Sequence, residues 1–525
     1  MESATHHYLS RRRFLQQTAA LAATLPLIGP LAIAAEKAST IDLGSRLELF
    51  VDDFLIERLA GKAQLRLHHP EPREIALTHD APWEGSGSGY HSVFKDGGIY
   101  RMYYKAWHLD VSPGKLKTDA HPLFCCYAES DDGIRWRKPA LGLHEFNGSK
   151  ANNIVMVSGK LGTLNVDAGH PAVFKDENPA APADARYKAF FRSKDPNGLL
   201  PFKSHDGLHW APMSTEPLLV KLGAFDSQNL AFWDPALKEY RAYWRIFTGI
   251  GGGKSVRGIR TATSKDFLNW GKPVDLTYAD SPPEELYVNQ VKPYPRAPHL
   301  LLGFPVRYVD RGWSGSMRAL PEPEHREKRS SANPRFGTAI TESLLMASRD
   351  GVRFKRWNEA FLRPGIERDG TWNYGHQYIA WHLVETKPAL EGAPDELSLY
   401  ETESYWTGNS SALRRYTLRV DGFVSVHAPM SGGELVTRPL TFTGSKLLLN
   451  FSSSAAGEVL VEMQDAAGQP VPGFALGECE PLFGDSLQRA VTWKNGADLR
   501  TLGGKPVRLR FAIKDADLYS LRFAE

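Results

Sequence analysis

Phe225-Asp226-Ser227-Gln228-Asn229-Leu230-Ala231-Phe232-Trp233-Asp234-Pro235 opens a stretch, running to Trp270, that reads as one complete repeat unit. A polar cluster leads into a short apolar segment, and Asp234-Pro235 marks a turn. Tyr240-Arg241-Ala242-Tyr243-Trp244-Arg245 then alternates as a half-buried strand does. A glycine cluster between Gly249 and Gly253 breaks that strand, Arg257 to Thr263 forms another, and Ser264-Lys265-Asp266-Phe267-Leu268-Asn269-Trp270 closes the unit. Three or four short strands in about 45 residues is the size of one β-propeller blade.

The closing signature recurs. Ser130-Asp131-Asp132-Gly133-Ile134-Arg135-Trp136, Ser204-His205-Asp206-Gly207-Leu208-His209-Trp210 and Ser348-Arg349-Asp350-Gly351-Val352-Arg353-Phe354 carry it, and Asp421-Gly422-Phe423 is a degenerate copy. The aligned aspartates are 74, 60, 84 and 71 residues apart. Serine and aspartate side chains accept hydrogen bonds from backbone amides two or three residues on, and glycine permits positive φ. These aspartates are therefore expected to be hairpin staples, with the final aromatic plugging between sheets.

Five such units follow one another. They span about 81–140, 150–215, 225–270, 280–357 and 366–428, and the fourth holds a long polar insertion from Val309 to Phe336. A loop of that length in a compact domain is usually functional or disordered. Ahead of them, residues 42–80 form a lead-in whose segment Leu47 to Ile56 is expected to wrap the propeller or complete its last blade. After Pro429-Met430-Ser431-Gly432-Gly433 the signature disappears and short alternating strands take over. The expected architecture is all-β: a five-bladed β-propeller over residues 42–430, followed by a C-terminal β-sandwich over residues 434–525.

Residues 1–35 read as an address. Arg11-Arg12-Arg13-Phe14-Leu15 fits the twin-arginine pattern, a charge-free apolar run extends from Thr18 to Ala35, and Ala32-Ile33-Ala34 is a small-x-small cleavage site. Removal of the leader implies an exported protein, periplasmic or extracellular. The remaining chain has 60 basic and 59 acidic residues, which gives no reason to expect nucleic acid or an anionic membrane as partner. No later segment is long and apolar enough to span a bilayer. The cysteines are Cys125, Cys126 and Cys479, an odd set with one adjacent pair, which is not a disulfide framework. There is no His-Glu-x-x-His and no cysteine ligand spacing, so neither metal nor cofactor is expected. Oligomeric state is not legible.

Residues just before the innermost strand of each blade converge at one mouth of a propeller. Here they are Tyr90 and His91, Asp167 and His170, Asp226, Gln228 and Asn229, Glu284, Glu285, Tyr287 and Asn289, and Asn373, Tyr374 and His376. Carboxylates among amides, imidazoles and aromatics suit a sugar: the polar groups bond hydroxyls and the rings stack on its faces. Cleaving a glycosidic bond requires two carboxyl groups in most such enzymes.

The chain resembles the secreted five-bladed propeller glycoside hydrolases, the superfamily that contains families 32, 43, 68 and 130. It is more closely similar to a family-32-like group of exported bacterial proteins with a C-terminal β-sandwich. The stretches that carry this are Ala81-Pro82-Trp83-Glu84-Gly85, Gly223 to Asn229, Leu302-Gly303-Phe304-Pro305, and Asp421-Gly422-Phe423-Val424-Ser425 to Gly432-Gly433-Glu434-Leu435. The resemblance implies three acids at the funnel. Asp226 falls on the third-blade, charge-stabilising position, and Glu284, with Glu285 beside it, on the fourth-blade general acid. The early Trp-x-Asn-Asp-Pro-Asn-Gly motif is missing, Asp226 is followed by Ser227, and Glu284 is not in a Glu-Cys pair. The base or nucleophile is therefore open among Asp167, Glu84 and Asp52. His91, His170, Gln228, Asn229, Glu285, Tyr287, Asn289 and His376 complete the expected substrate-binding set. A carbohydrate-binding propeller without catalysis is the alternative, and a metal-assisted lyase or lactonase a further one.

Overall fold

The computed structural model describes residues 40–118, 120–249 and 255–525. The expected twin-arginine leader lies outside the described residues.

Five sheets, antiparallel except for one parallel edge pair in the fourth, follow in the order of the chain. Their principal strands begin with Gly89–Asp96, Ile99–Ala106, Phe124–Ser130 and Ile154–Val157 for blade 1. Blade 2 is built on Leu164–Lys175, Tyr187–Lys194 and Asn197–Ser204, and blade 3 on Leu230–Asp234, Glu239–Gly249 and Ser255–Ser264. Blade 4 uses Lys292–Tyr294, Ala297–Gly303, Met346–Ser348 and Arg353–Arg356. Blade 5 has Val384–Thr386, Glu396–Glu403 and Ala412–Arg419, and takes its outermost strand from Glu71–Thr78 at the other end of the sequence. That borrowed strand closes the ring.

The recurring signature builds the contacts between blades. Gly133, Gly207 and Gly351 each donate their N–H to the signature serine at 2.9 Å. Asp132, Asp206, Asp266 and Asp350 each accept two backbone amides at 2.7–2.9 Å. These glycines adopt φ between +72° and +82°, a region that costs a side chain dearly. The preceding blade then holds each turn. Arg101 of blade 1 donates to the Asp206 carbonyl, Arg241 and Tyr243 of blade 3 donate to the carbonyls of Asp350 and Gly351, and Tyr400 of blade 5 donates to that of Gly133. Between blades 2 and 3 the contact is apolar, Phe190 stacking on Phe267 at 4.9 Å. The degenerate copy differs: Asp421 is no staple but receives Tyr294 at 2.6 Å and Arg296 at 2.9 Å from blade 4.

On the propeller axis the Gln228 amide donates to the carbonyls of Tyr90 (3.0 Å) and Pro171 (3.1 Å) and accepts from Gln290 at 2.9 Å. Gln290 in turn donates to Ile379 at 2.6 Å. One amide pair thus ties together backbone from blades 1, 2 and 5.

The C-terminal strands join a single ten-stranded sheet. Its longest members, Lys446–Asp465 and Val507–Ala524, send residues from both of their halves into one core, among them Leu447, Phe451, Val461, Leu509, Leu518 and Phe523. The first part of the lead-in, up to Leu67, belongs here. Glu48-Leu49 pairs with Leu521-Ser520, Ile41–Gly44 with Leu440–Phe442, and Ile56–Gly61 with Gly433–Thr437. Contrary to expectation, then, Leu47 to Ile56 enters no blade, because its strand partners are the last strands of the chain.

The insertion is helical, which the sequence reading did not anticipate. Gly315–Ala319 is capped by Ser314, Pro323–Ala332 opens on a proline, and Pro334–Thr338 is capped by Asn333. Its longest helix meets a small hairpin of blade 1, Asp110–Ser112 with Lys115–Lys117, where Gly114 donates to Ser331 at 2.7 Å.

Candidate functional site

At one mouth of the propeller a cleft of about 430 Å³ draws residues from every blade. Tyr90, Lys105 and Trp107 come from blade 1, His170 from blade 2, and Asp226 and Arg257 from blade 3. Tyr287 and Tyr308 come with blade 4, Tyr374, Tyr405 and Trp406 with blade 5, and Asn333 and Phe336 from the insertion. The volume lies within the range of small-molecule sites.

The expected site residues divide here. Asp226, His170 and Tyr287 line the cleft. The Asp226 side chain is half exposed and ion-paired to buried Arg245, whose guanidinium lies over the Tyr287 ring at 4.8 Å. Asp167 is buried just behind the wall, 3.2 Å from His170 Nδ1, and accepts the Gly169 amide at 2.9 Å. Burial opposes its charge, but His170, Lys194 and that amide outweigh it and hold the carboxyl well below the usual range. Burial lowers the His170 pKa, with the Asp167 charge opposing. Glu285 is shared by Arg257 and Arg335, the latter at 2.5 Å.

Other candidates face elsewhere. Glu284 meets Arg307 and Arg356 at 2.9 Å each and borders a separate hollow with Tyr278 and Pro283. Its two arginines draw it to the flank of blade 4. Glu84 is buried among Tyr104 (2.5 Å), Lys138 (2.6 Å) and the Ala81 amide (2.9 Å). Asp52 pairs with Arg349 at 2.8 Å, beside the C-terminal sheet. His91 is stacked on Tyr104 and lies 3.0 Å from His79 in the core. Gln228 belongs to the axial amide pair described above. Asn229 bonds the carbonyls of Phe225 and Ser227, and Asn289 accepts the Val291 amide at 3.3 Å.

His376 lies deeper, in a buried group with Glu401 and Glu403 whose ligand atoms fall within 4.8 Å of one another. Glu403 is held by Arg368 and Arg414, and although burial opposes it these bring its pKa to about 2. Burial and the Glu403 charge push Glu401 well above the carboxylate range. The Trp372 amide donates to His376 Nδ1 at 3.1 Å, which leaves the ring proton on Nε2, facing Glu401 Oε1 at 4.0 Å. A protonated acid, an engaged carboxylate and an N–H make a proton-holding cluster rather than a set of free metal ligands.

No family model matches the chain, and no curated protein is significantly similar to it. Among solved structures it is similar to a fructofuranosidase from Schwanniomyces occidentalis in complex with fructosylnystose, at 10% identity and a TM-score of 0.35, covering 87% of this chain and 96% of that one. It is also similar to a family 117 glycoside hydrolase from Zobellia galactanivorans, at 10% identity and TM-score 0.36 over 68% and 90% of the two chains. An N-acetylgalactosamine deacetylase from F. plautii gives 13% identity and TM-score 0.38 over 67% and 94%. These likenesses concern the course of the chain alone.

Tyr90 and Tyr374, expected at the mouth from their position, do line the cleft; the residues that sequence reading missed are the cations and Trp107, Tyr308, Tyr405 and Trp406. Lys105 is buried, donates to the Tyr405 hydroxyl at 2.9 Å, and lies 4.6, 5.0 and 5.1 Å from the ring centres of Tyr90, Trp107 and Tyr405. Burial pulls its pKa down to about 7, with the Asp167 charge only partly opposing. A lysine inside Tyr103-Tyr104-Lys105-Ala106-Trp107 was the available signal, since a charged side chain amid a core strand needs a reason. Tyr374 donates to Tyr287 at 2.9 Å, and Tyr405 stacks on Trp406 at 5.3 Å. Burial raises the pKa of Tyr90, Tyr374 and Tyr405, so their phenols stay protonated.

Proposed function

We propose that the protein is a glycoside hydrolase whose substrate enters the five-blade cleft. The observation that carries this reading is the cleft itself: a half-exposed carboxylate, Asp226, amid Trp107, Tyr287, Tyr405 and Trp406 at the propeller mouth. Aromatic faces suit sugar rings, and the phenols suit their hydroxyls. Asp226 serves as the base or nucleophile. It is the sole Asp or Glu among the described residues lining the cleft, so no second carboxyl stands beside it there. Export along the twin-arginine route is part of the proposal, supported by Arg11-Arg12-Arg13-Phe14-Leu15.

The test is release of reducing sugar from a panel of polysaccharides and aryl glycosides by the wild type and Asp226→Asn. Loss of release in a folded variant supports hydrolysis. The single, arginine-paired carboxylate also favours a second reading, carbohydrate binding without cleavage. Ligand-dependent thermal stabilisation without product, surviving Asp226→Asn, selects it. Arrest of the precursor in the cytoplasm on Arg11→Lys with Arg12→Lys tests the route.

A further inference from the structure

The ions around the cleft are almost all spoken for. Asp226 is paired with Arg245, Glu285 with Arg257 and Arg335, and Asp167 with His170. Among the described charged side chains that line the cleft, Lys105 is the exception. Among the described residues its ammonium makes one hydrogen bond, to Tyr405, and the acid whose charge acts on it, Asp167, is already engaged by the His170 ring and the Gly169 amide. An ammonium has three donors, so two remain without an acceptor at the cleft wall. Three aromatic faces stabilise the charge, but less than the loss of its water costs. A buried cation that lines a cleft either gives up its proton or is answered by an anion entering the cleft.

We propose that the cleft takes a saccharide bearing an anionic substituent, a carboxylate or a sulfate ester, received by the Lys105 ammonium between Tyr90 and Tyr405. This rests on the reading of the cleft as a carbohydrate site, and it adds the substrate class. The sugar ring lies against Trp107 and Trp406, which flank the same wall, and the phenol of Tyr405 is placed to share the anion with Lys105. Neutral glycans leave the ammonium unanswered, and this sets the selectivity.

The experiment measures binding of three probes of equal length to the whole protein by calorimetry: an oligogalacturonate, its carboxyl-reduced neutral counterpart, and a sulfated galacto-oligosaccharide. The expected result is at least tenfold tighter binding of one charged probe than of the neutral one, and the stronger of the two identifies the anion. In Lys105→Met the advantage disappears while the thermal midpoint rises, since an uncompensated charge has been removed from the core. Lys105→Arg keeps part of the preference, which a packing role alone does not explain. Equal binding of all three probes, no binding of either charged probe, or a preference that survives Lys105→Met overturns the proposal. Cleavage of neutral glycans without charge preference sinks this inference and leaves the hydrolase reading standing. Charge-selective binding without cleavage does the reverse.

Discussion

The Lys105 ammonium stands 2.9 Å from the Tyr405 hydroxyl, inside a wall that gives it aromatic faces and no carboxylate partner among the described residues. Its pKa near 7 in the folded protein lies far below the value of a solvated lysine. The groups around it are Tyr90, Trp107, Tyr405, Asp167, His170 and His91. Between the folded and unfolded pKa values the unfolded chain binds the extra proton, so folding stability climbs as pH rises through that window. Lys105→Met is expected to flatten this rise and to lift the unfolding midpoint by a few degrees at pH 6, measured by calorimetry against wild type.

Glu401 gives the opposite slope. It is buried, and its folded pKa is raised, so its contribution is complete below the unfolded carboxylate value and is lost as pH increases toward the folded one. Glu401→Gln mimics the protonated acid. Its midpoint should match wild type near pH 4 and exceed it at pH 8, and an unchanged pH profile would exclude a proton on Glu401.

Two aspartates of neighbouring blades separate structure from chemistry. Asp206 accepts two backbone amides and touches nothing in the cleft, so Asp206→Ala is expected to cost about 1–3 kcal/mol of stability. Its kcat/KM on any glycan cleaved by the wild type stays unchanged. Asp226→Asn should instead lower kcat/KM by about 10²–10⁴-fold, and because buried Arg245 loses its carboxylate partner the unfolding midpoint falls as well.

Gln228 is expected to be the most costly amide in the propeller. Gln228→Leu strands the carbonyls of Tyr90 and Pro171 and the Gln290 amide, at about 2–4 kcal/mol, read from a urea midpoint. Because Tyr90 also lines the cleft, ligand affinity falls with it.

The blades were legible because each carries its own punctuation. Ser204-His205-Asp206-Gly207 announces a staple whose hydrogen bonds are local, and local chemistry survives in sequence. The lead-in was misread because Glu48-Leu49 finds its partners at Ser520 and Leu521, and alternation says nothing of which distant strand completes a pair. The helix Pro323–Ala332 has almost no apolar stripe and buries Arg326 and Arg329, so no periodicity betrayed it, although Pro323, Asn333 and Pro334 marked its ends. In the cleft, Asp226, His170 and Tyr287 were named from their position before inner strands. Lys105, Arg257 and Tyr405 project from second or third strands or from later loops, where the same rule does not reach.

Val507–Ala524 is hydrogen-bonded to five other strands, two of them drawn from the beginning and middle of the chain at Glu48-Leu49 and Val424–Ala428. It is also the last of the described strands in chain order. The propeller can close once Ala412–Arg419 has met Glu71–Thr78, and Ile41–Gly44 and Ile56–Gly61 find their partners soon after at Leu440–Phe442 and Gly433–Thr437, but Glu48-Leu49 waits for Ser520 and Leu521. Truncation before Ser520 therefore strips Glu48-Leu49 of its partners as surely as it shortens Val507–Ala524.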